Sequence, residues 1–308
     1  MNWNGVMPAM TTAFDEKEQV DAEFMSRHAM WMIENGCTAL IMLGSLGEAA
    51  TLSSEEKTGI LKNMVATVNG RVPVVSAISA LATRDAIAQA KAAEDAGCSG
   101  LMILPPYVYR GDWREMKHHI GSVLEATSLS SMLYNNPVAY GTDFEAVHIS
   151  ELADEYEHLH AVKESSTDVR RVTAIRALTG GRLTTCVGVD DAIVEGIAAG
   201  AAGWVAGLVN AFPRESVVLF DAAAAGNARL AFLIYRWFLP LLRMDTVPKF
   251  VQLIKLVQQE LGVGSARVRA PRMELVGAEL EEARRVVKEA LANRPECGAI
   301  EFPSAVRA

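Results

Sequence analysis

The chain has 308 residues, half of them hydrophobic and 21% charged, enough for one large core or two modest domains. Its 29 basic and 37 acidic residues leave a net charge of −8, a balance that repels phosphate backbones and argues against nucleic acid as a partner. Cys37, Cys98, Cys186 and Cys297 lie far apart without a CxxC pair, and Met1-Asn2-Trp3-Asn4-Gly5 opens no export signal, so a cytoplasmic location is expected. The most apolar stretch, 192–212, contains Glu195 and several glycines and reads as a buried helix, turn and strand, not a membrane span.

Short β-rich runs alternate with amphipathic segments. Run 6–10 precedes a helix over 21–35, and run 39–43 precedes one over 53–69 that Ser53 and Glu56 open as a capping box. Run 73–77 leads into a helix over 83–96, and run 100–104 into one over 112–126. Runs 131–134, 159–163, 184–187 and 203–206 follow, each leading into helical sequence. Gly36, Gly70, Gly97 and Gly200 stand where helices should stop. Eight such units at a spacing of roughly 25–30 residues predict an α/β fold, a parallel (β/α)8 TIM barrel, over 1–226. An open doubly wound sheet is the rival, but no Gly-x-Gly-x-x-Gly turn follows the first run. Segments 228–244, 249–261 and 278–293 read as helices punctuated by Pro240, Pro248 and Pro271. Residues 227–308 are therefore expected to form a C-terminal helical extension packed on the barrel, with a loose tail from Arg294.

In such a barrel the C-terminal ends of the strands carry the chemistry. Lys163 ends the run Leu159-His160-Ala161-Val162, facing either into the barrel or outward under the helices. Inside, it would lose the solvation of its ammonium form and become a nucleophilic amine; outside, it is a surface lysine. Tyr134 ends the preceding strand. Adjacent strands lie about 4.8 Å apart, so both side chains can reach one substrate atom, and a phenol can shuttle the protons that imine formation needs. Alone, it would be a barrel-mouth aromatic. Gly44-Ser45-Leu46-Gly47-Glu48 offers a tight turn with inward amides suited to a carboxylate, and Ser45 could relay protons to Tyr134. Asp190 and Asp191 either cap the seventh helix or face the substrate. His158 and His160 share a strand face but lack a third ligand, so no metal is expected.

Together these strand ends resemble the dihydrodipicolinate synthase / N-acetylneuraminate lyase family. The resemblance rests on residues 44–52, on Pro105-Pro106-Tyr107, on Tyr134-Asn135-Asn136-Pro137, on Val162-Lys163-Glu164-Ser165-Ser166 and on Gly188-Val189-Asp190. It implies a class I mechanism in which Lys163 forms the Schiff base, Tyr134 is the general acid/base and Ser45 the hydroxyl relay. The turn at Leu46 would receive the substrate carboxylate, with Tyr107, Gly188, Asp190 and Val205 also at the substrate. It further implies no cofactor, a small 2-oxo or imino acid as substrate, and a homodimer or homotetramer with the Tyr107 loop near a subunit contact.

Three departures narrow the expectation. Leu46 stands where the family carries a second hydroxyl, Val108 where the synthase has a second relay tyrosine, and Ala139 where an arginine grips aspartate semialdehyde. The strings at 134–138, 163–166, 203–207 and 268–272 are instead similar to a catabolic branch, Δ1-pyrroline-4-hydroxy-2-carboxylate deaminase of hydroxyproline breakdown. A 2-oxo-3-deoxy sugar acid dehydratase or aldolase is the alternative, and lysine biosynthesis or a non-catalytic barrel is expected less.

Overall fold

Four short strands of continuous apolar sequence and four of mixed sequence are each buried almost throughout, as parallel strands covered on both faces must be. The computed structural model describes residues 1–299 and 301–303. The strands are β1 (Gly5–Pro8), β2 (Leu40–Met42), β3 (Val74–Ile78), β4 (Gly100–Ile103), β5 (Ser130–Asn135), β6 (Leu159–Glu164), β7 (Thr184–Val187) and β8 (Gly203–Ala206). They form one parallel sheet in the order β1-β8-β7-β6-β5-β4-β3-β2. The ring closes between β1 and β2, where Ala9 bridges Ile41 and the Met10 amide donates to the Ile41 carbonyl at 2.9 Å. This is the expected TIM barrel. The first strand is shorter than the predicted run because Ala9 and Met10 contribute only to that bridge.

Helices α1 (Ala22–Glu34), α2 (Ser54–Val68), α3 (Thr83–Asp95) and α4 (Trp113–Leu124) follow the first four strands. After β5 come a single turn, α5 (Pro137–Tyr140), and then α6 (Ala146–Glu155); α7 (Arg170–Leu178), α8 (Ile193–Ala198) and α9 (Pro213–Ala224) complete the ring. Ser53 and Glu56 form the expected reciprocal cap of α2. Gly36 and Gly200, at φ +105° and +104°, turn the chain out of α1 and α8.

The extension consists of α10 (Ala228–Leu242), a 3-10 turn Arg243–Thr246, α11 (Phe250–Glu260) and α12 (Gly277–Ala292). Pro240 lies inside α10 and does not end it. The segment after Arg294 is anchored where a loose tail was expected. Arg294 pairs with Glu215 at 2.6 Å, Arg214 Nε donates to the Cys297 carbonyl, and Phe302 stands edge-on to Trp31 at 5.3 Å. The remainder of that predicted tail lies outside the described residues. Among the described residues no helix is long and apolar enough to cross a membrane.

Candidate active site

β5 and β6 pair with Tyr134 opposite Lys163, and β7 places Cys186 on the other side of Lys163. Register partners in a parallel sheet share a face, so these three side chains line one wall. Lys163 takes the inward facing: it is 6% exposed, with Nζ 4.2 Å from the centroid of the Tyr134 ring. Burial pushes its pKa below the ordinary lysine value, opposed by Asp245, Tyr140, Asp190 and Cys186. Gly188 makes room for its stem. A Cβ at that position would stand 2.5 Å from Lys163 Cε and 2.0 Å from Ser165 Oγ. Gly188, expected at the substrate, is thus the floor on which the lysine lies.

Burial raises the Tyr134 phenol to about 12, opposed by the amide of Asn136, whose Nδ2 donates to the Tyr134 oxygen at 3.0 Å. The Ser45 hydroxyl, expected to relay protons to Tyr134, pairs with the Tyr140 phenol. The Tyr140 ring stands edge-on to Tyr134, centroids 5.7 Å apart at 84°. Tyr140 therefore lies between the two predicted relay groups, and burial raises its pKa as well. It escaped the sequence reading although a signal was present. Asn136 caps α5 by accepting from the Ala139 amide at 3.0 Å, Pro137 occupies the first turn, and Gly141 ends it at φ +73°. Asn-Pro followed by Gly four residues later specifies a one-turn helix that swings residue 140 back over the strand. Tyr107, 39% exposed and 6.4 Å from the Tyr140 ring, sits at the rim.

The turn after β2 is held from beneath. Glu48, in the left-handed region at φ +55°, accepts from Lys255 Nζ at 2.8 Å and from the Arg269 amide at 3.0 Å. Lys255 also donates to the Thr12 carbonyl at 2.9 Å. Gly47 is required by close approach, since a Cβ there would stand 2.9 Å from the Met10 carbonyl oxygen. The Leu46 side chain is buried, and among the described residues the amides of Ser45, Leu46 and Gly47 donate to no protein acceptor. Free amides at a barrel mouth suit a carboxylate. The Ser165 hydroxyl, buried without a hydrogen bond of good geometry and near enough to Tyr134 to lower its pKa, is a further group with capacity to spare.

Asp190 is differently employed from the expected substrate contact. Its carboxylate is fully buried and accepts from Trp204 Nε1 at 2.9 Å, the Gly207 amide at 3.0 Å and the Leu208 amide at 2.8 Å. It fixes the end of β8. Burial raises its pKa to about 6 against those donors. Val205, also expected at the substrate, is 1% exposed and packs within the wall. A further acid, the half-buried Asp245, is brought by the turn between α10 and α11 to the end of β8. A Cβ at Gly207 would stand 2.4 Å from its Oδ1. Among the described residues no His, Cys, Asp and Glu cluster of three or more could hold a metal ion.

The fold and this wall define a class: a (β/α)8 barrel whose sixth strand presents a desolvated lysine beside a phenol on the fifth. The model of the Dihydrodipicolinate synthetase family matches residues 2–290, and the chain belongs to that family of enzymes. It is 31% identical over 278 residues to a 4-hydroxy-tetrahydrodipicolinate synthase of Bacillus velezensis, covering 89% of this chain and 95% of that one. It is 29% identical over 273 residues to the protein of that name from Methanocaldococcus jannaschii, covering 89% and 93%. A solved dihydrodipicolinate synthase from Bacillus anthracis superposes with a TM-score of 0.90 at 26% identity, over 96% of this chain and all of the other. These relatives bear the activity that the sequence reading had ranked low.

Proposed function

We propose that the protein is a Schiff-base lyase that dehydrates and deaminates a small hydroxylated imino acid, 1-pyrroline-4-hydroxy-2-carboxylate, to 2-oxoglutarate semialdehyde. The observation that carries this reading is the lining near Lys163: phenols, hydroxyls and the carboxyl of Asp245, with an exposed Ala139 at the position from which a guanidinium would grip a second carboxylate. Neither a phenol nor an aliphatic hydroxyl replaces the bidentate grip that a guanidinium gives a second carboxylate.

Lys163 attacks C2 of the cyclic imine while the substrate carboxylate lies on the free amides at Leu46. The Tyr134–Tyr140–Ser45 relay gives a proton to the ring nitrogen as the ring opens, then takes the proton from C3, which the iminium has acidified. The C4 hydroxyl leaves as water. Loss of a C5 proton and return of a proton to C3 give an enamine at C5. Hydrolysis of that enamine and of the Lys163 Schiff base at C2 releases ammonia, the semialdehyde and the free lysine. Ammonia released by pure protein from this imino acid, followed by a coupled assay, tests the reading; no turnover sinks it. Borohydride added with a 2-oxo acid should increase the mass of Lys163, and an unmodified lysine would remove the Schiff base altogether.

One observation favours a second reading, the synthase. The Arg110 guanidinium packs over Gly141, where a Cβ would stand 2.2 Å from its Nε. A cation there, near residue 139, could take over a second carboxylate. Condensation of pyruvate with aspartate semialdehyde that weakens in Arg110→Ala would select it. The sugar-acid alternative loses its motive, because the Asp190 oxygens are engaged. The expected dimer or tetramer would cover the exposed Val108, Tyr109 and Val138 beside Tyr107, and light scattering reads it directly.

A further inference from the structure

Asp245 comes from the extension, not from a barrel strand, yet it reaches the barrel mouth. Its carboxyl passes beside Gly207 at the end of β8, where only a hydrogen leaves room for it: a Cβ would meet Oδ1 at 2.4 Å and Cγ at 3.0 Å. The turn that carries it packs against residues 190–192 after β7, and its charge acts on both Lys163 and Tyr134. Among the described residues no Lys or Arg nitrogen lies within ion-pairing distance of it. The Asp190 carboxylate beside it is occupied with Trp204, Gly207 and Leu208. The fold thus places two acids together and gives them different surroundings, one tied to the scaffold and one left without a cation. Such separation of paired carboxyls is how sites assign acid and base roles.

We propose that Asp245 is the general acid of the site, giving its proton to the hydroxyl that leaves as water from the carbon two bonds beyond the Schiff-base carbon. The inference rests on the dehydration reading above. The step balances without a further reactant. The relay removes the C3 proton, leaving an enamine on Lys163. The enamine electron pair forms the C3=C4 bond, the C4–O bond breaks, and the oxygen takes the Asp245 proton. The carboxylate so formed regains a proton when C5 is deprotonated on the way to the second enamine. Asp245 is suited to begin the cycle protonated: burial first, then the neighbouring Asp190 and Asp191, raise its pKa well above the usual carboxylate value, with Lys163 opposing.

Asp245→Asn keeps the shape and removes the proton. The experiment compares wild type and this variant on the C4-hydroxy imino acid and on its C4-fluoro analogue, because fluoride departs without being protonated. The expected result is a loss of about 10²–10⁴-fold in kcat on the hydroxyl substrate, with the fluoro analogue turned over at close to the wild-type rate. Borohydride trapping of pyruvate on Lys163 should persist, which shows that the variant is folded and its amine reactive. Equal losses on both leaving groups would reduce Asp245 to a positioning residue and overturn the inference, and so would no loss on either. Wild-type protein inert towards both compounds would instead sink the dehydration reading, and the inference with it.

Discussion

Replacing Gly188 by alanine tests whether the lysine is held where its chemistry needs it. The new Cβ would lie 2.0 Å from Ser165 Oγ, 2.5 Å from Lys163 Cε and 2.7 Å from Lys163 Cγ, all well inside contact distance. The backbone of β7 is fixed by its ladder to β6, where Cys186 pairs with Lys163 and Val187 with Glu164. The side chains must therefore yield, and the lysine stem is the movable one. Overpacking of this kind costs about 1–3 kcal/mol. A displacement of about 1 Å at the amine lowers the rate of attack by about 10²-fold. Urea unfolding would read the first quantity, and the rate of borohydride-trapped mass increase on Lys163 with pyruvate would read the second. Trapping at the wild-type rate in a variant of wild-type stability would refute the packing argument, since neither the stem nor Ser165 would then have been displaced.

Three further outcomes are expected. Lys255→Met leaves Glu48 fully buried beneath the carboxylate-binding turn with Arg272 only at 3.8 Å, and should lower unfolding stability by about 3–5 kcal/mol in denaturant titrations. Tyr140→Phe interrupts the Ser45–Tyr140 pairing and should lower kcat by about 10²-fold or more while trapping on Lys163 continues; an unchanged kcat would put the relay elsewhere. His28 is buried, with Nε2 2.7 Å from the Asn210 carbonyl, and burial lowers its pKa to about 4 against that hydrogen bond. The unfolded chain takes up this proton below about 6.5 and the folded chain only near 4, so stability falls as pH drops through that window, by about 3 kcal/mol at most from this residue. His28→Gln should flatten the pH dependence of the urea midpoint between pH 7 and 4; an unaltered slope would show that His28 is not its source.

Much of the site could be read locally. Lys163 and Tyr134 end consecutive strands, and parallel pairing brings such ends together whatever the intervening helix contains. Ser53 with Glu56 and the glycines at 36 and 200 mark helix ends through backbone chemistry that acts within a few residues. What the alternation left open was the facing of Lys163. The ladder, with Cys186 beside it and Gly188 beneath its stem, resolved that question.

The remainder depended on distance along the chain. Asp190 had an even choice in the sequence between capping a helix and meeting a ligand; in the fold it does neither of these in the form expected, because Trp204, Gly207 and Leu208 converge on it from β8. Tyr140 stands on a single turn too short for any periodicity to reveal, and its partner Ser45 lies 95 residues away. Asp245 belongs to a turn between two helices of the extension, and nothing near it in sequence points to a lysine on β6. Hydrophobic period, caps and strand order are set by neighbours, so the sequence alone determined the barrel and the pair at its centre. Which charge faces that pair depends on how the extension packs across the mouth, and only the tertiary structure decided it.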